Sequence, residues 1–203
     1  MDTQAKKELS QLNEMMMIGY YRSNQEDSIQ ACSIWLEVWN QLKDYFTESM
    51  NSIRDANTIF QWSELPSNWC QDLEQKLGRA GEKDGSFYEK RIKYCQEFLN
   101  LLPGTDWLIV HNMKQAIAES YFGLGMVEQG EREFEALVKQ FPKYAWAYIA
   151  WGDMYYLYRM NESVPLDYER AKEIYNKALE AGVDEKQAVL ERLESLEEVK
   201  DET

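Results

Sequence analysis

The chain has 203 residues, 44% of them apolar, with a formal net charge of -14 and a pI near 4.6. That length suits one domain or two small ones with a buried core, and the negative field repels phosphate backbones and anionic bilayers, which sets nucleic acid and membranes aside as partners. No run approaches the roughly 18 apolar residues that span a bilayer, and the polar start MDTQAKKELSQLN has no apolar segment of signal-peptide type, so a cytoplasmic protein is expected.

Glycine and proline are scarce and no stretch alternates in the manner of a half-buried strand, which predicts an all-α chain of about eight or nine helices with short loops. In the first helix, MMMIGYY places Met15, Met16 and Met17 on different faces, and packing against the second helix is expected of them. Ser23 with Glu26 reads as a capping box opening a helix over about Gln25 to Phe46. That helix carries two apolar seams, one through Ile29, Cys32, Leu36, Trp39 and Phe46 and one through Trp35, Val38, Leu42 and Tyr45, so it is expected to lie between neighbours. Pro66 then breaks the pattern within FQWSELPSNW. Further starts fall at Ser86 with Glu89 and at Asp184 with Gln187, and stops at Pro103, Pro142 and Gly182. Three scattered cysteines, Cys32, Cys70 and Cys95, fit buried small hydrophobes better than a disulfide framework or paired zinc ligands.

Two segments align at an offset of 34 residues: KQAIAESY, Lys114 to Tyr121, and YIAWGDMY, Tyr148 to Tyr155. Each leads to a second helix with a small residue and, four positions on, an aromatic one: Gly130 with Phe134, and Ala171 with Tyr175. This arrangement resembles the tetratricopeptide repeat, W-x2-L-G-x2-Y followed by A-x3-F and P. Tyr148, Trp151, Gly152 and Tyr155 stand at the four leading positions of one copy, and Lys114, Ile117, Ala118 and Tyr121 at those of the other. Departures are Lys114 in place of an aromatic, Gly130 in place of Ala, and an insertion within RMNESVPLDY. The resemblance implies stacked antiparallel helix pairs in a superhelix. It would comprise an N-terminal helical extension over 1–66, a degenerate pair over 67–104, repeats over 105–142 and 143–182, and a capping helix over 183–203 whose carboxylates suit a polar outer face. The chain is more loosely similar to bacterial tetratricopeptide proteins, some with a SecA-type zinc-binding tail. No cysteine follows Cys95, so no zinc function is carried over.

Chemistry is sparsely signalled. The one histidine, His111, reads as a surface or capping residue, and a single histidine assembles no His-pair metal site. GLGMVEQG, with Gly123, Gly125 and Gly130, ends a helix and has the wrong spacing for a nucleotide loop. EKDGSF is a turn with too few oxygen ligands for calcium. The abundant carboxylates read as a solvated surface, and no cofactor, metal or catalytic residue is assigned.

Helical repeats bind on the concave face lined by the first helix of each pair. Positions spaced 3, 4 and 3 apart between the signature residues give Asn112, Gln115, Glu119 and Phe122 in one copy and Trp146, Ile149, Asp153 and Tyr156 in the other. Aromatic anchors beside amides and two carboxylates suit a peptide or protein segment, basic or neutral, held by a non-catalytic interaction module. The alternatives are a small-ligand sensor or enzyme with an aromatic cavity, a homodimer built on the aromatic surface, and a stripe covered by the N-terminal helices.

Overall fold

A computed structural model describes residues 3–60, 62–158 and 160–201. The protein is all-α: ten α-helices and one 3-10 turn, with no strand among the described residues. The helices pack in sequence-adjacent pairs, the arrangement of an all-α helical repeat. Two compact units divide at Met113 and Lys114, within a helix, so the boundary expected at residue 66 falls inside the first unit.

The N-terminal unit contains α1 (Thr3–Asn24), α2 (Ser28–Leu42), α3 (Ile53–Ile59), α4 (Pro66–Lys83) and α5 (Ser86–Leu101). Helix α1 is longer than the sequence suggests: Ser23 lies inside it, and α2 is capped by Asp27, whose carboxylate accepts from the Gln30 amide at 3.2 Å. A carboxylate at the N-cap satisfies a first-turn N–H and complements the helix dipole, so it displaces the Ser23–Glu26 box. Helix α2 packs on both α1 and α4, and this burial on two sides explains its two seams. Cys32, Trp35, Val38, Trp39 and Leu42 are all buried. The Trp39 ring meets Tyr94 edge-on at 5.0 Å, and its indole N–H donates to Glu97 at 2.9 Å. Of the three methionines, Met16 is buried and Met17 exposed. All three cysteines are buried and none is in a disulfide, and burial pushes the thiols of Cys32 and Cys70 up to about 12.

Pairing within this unit depends on close approach. A Cβ at Gly81 on α4 would overlap the ring of Tyr88 on α5, and one at Gly19 would overlap Trp35. Between α4 and α5 lies a buried ion pair, Arg91 donating to Glu74 with Nε to Oε1 at 2.9 Å. Gly78 leaves room for the guanidinium, since a side chain there would sit 3.1 Å from the Arg91 Cζ.

The boundary falls in α6 (Trp107–Gly123), and the C-terminal unit continues with α7 (Val127–Gln140), α8 (Ala145–Asp153), α9 (Tyr168–Ala181) and α10 (Lys186–Asp201). His111, on the N-terminal half of α6, is buried with 1% exposure, which corrects its reading as a surface or capping residue. Gly125, at φ 73, turns the chain from α6 into α7, and Gly182, at φ 65, ends α9; both are left-handed positions that favour glycine. The insertion after α8 folds back on its own unit: Val164 is buried, and the Asn161 amide donates to the Gly123 carbonyl at 3.0 Å.

The positions of the 34-residue pattern lie inside this unit. Tyr148, Trp151 and Tyr155 are buried, and Gly152 on α8 lies against the Tyr175 ring of α9, where a Cβ would overlap it. Phe134 stacks on Trp151 with planes 7° apart. Glu131 on α7 ties the group together: its Oε1 accepts from the Trp151 indole and the Tyr155 hydroxyl, each at 2.6 Å, and its Oε2 pairs with Arg170. Three donors converging on one carboxylate satisfy polar atoms that burial would otherwise penalise.

Candidate functional site

The stripe residues do not share one environment. Gln115, Glu119, Trp146, Ile149 and Asp153 line one groove of about 210 Å³ in the C-terminal unit. Gln115 and Glu119 stand one turn apart on α6, and the Gln115 amide donates to Glu119 at 2.7 Å, so this wall is preset. Trp146, on the first turn of α8, is 45% exposed and presents an accessible aromatic ring to the lining. Ile149 lies one turn further along and is buried at the base.

Asp153 is 2% exposed at the end of α8. Burial raises its carboxyl above the ordinary range, while a hydrogen bond from the Tyr175 hydroxyl and the charge of Arg192 oppose the rise. Arg192 Nε approaches both carboxylate oxygens, at 3.1 and 3.2 Å. Its side chain retains 31% exposure and lines the groove, so a guanidinium belongs to this surface although the sequence suggested only acids. Asp153 is held by Tyr175 and Arg192, and Glu119, the other carboxylate of the lining, accepts from Gln115.

Three predicted residues lie elsewhere. Phe122 is buried, with its ring against Gly130 and 5.6 Å from that of Tyr155; it is the large residue filling the α6–α7 approach. Tyr156 is half-buried, with its ring between Tyr168 at 6.2 Å and Tyr175 at 6.4 Å. Helix α8 stops at Asp153 and the chain bends away, so helical spacing extended beyond that point places Tyr156 wrongly. Asn112 is half-buried and belongs to the N-terminal unit.

Sequence spacing missed Tyr158 and Arg192, both in the groove lining. Tyr158 is 54% exposed and comes from the turn after α8, where its amide bonds to the Asp153 carbonyl at 2.8 Å. Arg192 comes from α10, which packs on α8 and α9. Its signal was present: Val189, Arg192 and Leu196 follow at helical spacing, and both flanking residues are buried, so a cation sits on an otherwise apolar face. Among the described residues no group of three His, Cys, Asp or Glu side chains is arranged to hold a metal, and no helix is long and apolar enough to cross a membrane.

No protein-family model, no curated protein and no solved structure matches the chain.

Proposed function

We propose that the chain is a non-catalytic, tetratricopeptide-like interaction module of the cytoplasm that binds an extended peptide segment of another protein in the α6–α8–α10 groove. The observation that carries the reading is the pair of accessible rings, Trp146 and Tyr158, flanking a groove whose polar groups are already fixed by internal hydrogen bonds. Rigid aromatic anchors beside pre-positioned polar groups bind with little ordering cost. Glu119 within the lining and the net charge of -14 favour a basic or neutral segment with one bulky apolar residue to lie between the rings.

Affinity purification from the source cell with the chain and its W146A/Y158A variant tests this. A protein retained by the first and lost by the second, with helical circular dichroism unchanged, supports it. Equal recovery by both, or a co-purifying small molecule in place of a protein, refutes it and favours a ligand sensor. Sedimentation that finds dimer at every concentration would assign the rings to a homodimer instead.

A further inference from the structure

A second cleft, in the N-terminal unit, runs against the acidity of the chain. Lys76, Arg79 and Lys83 follow at i, i+3 and i+7 along α4 and therefore share one face. With Ser23 and Asn24 at the end of α1 and Ser28 at the start of α2 they line a cleft of about 560 Å³. None of the three cations is in an ion pair among the described residues; the polar contact made is Lys83 Nζ donating to the Glu26 carbonyl at 3.2 Å. A chain with 36 acidic and 22 basic residues has carboxylates to spare, yet these cations take none within pairing distance.

The cleft holds an independent second signal. Ser28 is 4% exposed and forms part of the wall, and its hydroxyl has no hydrogen-bond partner. A buried hydroxyl left unsatisfied is destabilising, and a ligand oxygen accepting from it would satisfy it. Ser28 is also the first residue of α2, a 15-residue helix whose N-terminal amides and dipole favour an anion. Opposing charges are present: Glu26 and Glu82 also line the cleft, both exposed, and Asp27 caps α2. They disfavour diffuse accumulation of anions and leave the cationic α4 face and the Ser28 wall as the place where a compact anion gains.

We propose that this cleft binds the phosphate group of a small phosphomonoester, with Arg79 and Lys76 pairing its oxygens and the Ser28 hydroxyl donating to one of them. Arginine and lysine with a hydroxyl at a helix start match a tetrahedral oxyanion bearing two charges better than a single carboxylate. The proposal is independent of the peptide groove, which lies in the other unit.

The test is an NMR titration of the full chain at constant ionic strength, with glycerol phosphate as probe, a phosphoserine peptide as the macromolecular arm and sodium chloride as control. The expected result is saturable shifts of the Ser28, Arg79 and Lys83 amides with glycerol phosphate. Affinity should fall about tenfold or more in Arg79→Gln, an exposed position that leaves folding intact, and several-fold in Ser28→Ala. Shifts that never saturate, saturation by the peptide but not by the free ester, or unchanged affinity in both Arg79→Gln and Lys76→Gln would overturn the proposal.

Discussion

The α4–α5 pair of the N-terminal unit and the α8–α9 pair of the C-terminal unit are built alike: each seats a glycine under a tyrosine ring, Gly81 under Tyr88 and Gly152 under Tyr175, and each buries an acidic side chain. They differ in what answers the acid. Glu74 is met by Arg91, and both side chains are sealed, at 7% and 8% exposure. Asp153 is met from a third helix by Arg192, which keeps 31% exposure and forms part of a groove. The same packing device is closed in one unit and opens onto a candidate binding surface in the other. The two pairs differ in solvent access: Arg91 is sealed with Glu74, whereas Arg192 is reached from the groove that Asp153 also lines.

Removing each guanidinium should expose the difference between the two pairs. Arg91→Ala leaves Glu74 buried without its partner and should cost about 3–5 kcal/mol in urea denaturation. Arg192→Ala should cost less, about 1–2 kcal/mol, because Tyr175 still donates to Asp153 and solvent reaches the space vacated. Equal losses would mean that the two pairs are equivalent. Next in size, Gly152→Val should destabilise by about 1–3 kcal/mol through overlap with Tyr175, and by less than that when the same change is made in a Tyr175→Leu background, which itself loses the hydrogen bond to Asp153. An equal loss in that background would place the glycine's role elsewhere.

The smallest effect lies in pH dependence. Burial raises Asp153, so its contribution is complete below the ordinary carboxylate value of about 3.9 and is lost as pH rises through its folded value. In the N-terminal unit Asp55 is held low by the Ser52 backbone N–H, the Ser52 hydroxyl and the Asn51 N–H, and Asp84 by the Ser86 N–H and hydroxyl. Their contributions are present above about 3.9 and lost as pH falls through their lowered values. Carboxyl carbon NMR should find Asp153 titrating above Asp55 and Asp84, and the reverse order would contradict the assignment of burial as the dominant influence on Asp153.

Local periodicity carried much of this into the sequence. The two-sided apolar pattern of α2 reflects packing on both α1 and α4, and the 34-residue offset singled out Trp151, Gly152 and Tyr155, which pack at the α7–α8–α9 contact. Spacing also reached Gln115, Glu119, Trp146, Ile149 and Asp153, because each lies within a regular helix. It failed where regularity ends or where contact is distant. Tyr156 lies past the end of α8, Phe122 turns onto Gly130, and Arg192 meets Asp153 across 39 residues that no helical period links. The Ser23–Glu26 box failed because Asp27, four residues after Ser23, is the residue that caps α2.

Panning a random peptide library against the chain and its W146A/Y158A variant tests the groove most directly. The expected result is enrichment of peptides that carry a bulky apolar residue and no net negative charge, bound by the chain and at least tenfold more weakly by the variant. Absence of enrichment, or enriched peptides that bind both proteins equally, would contradict it.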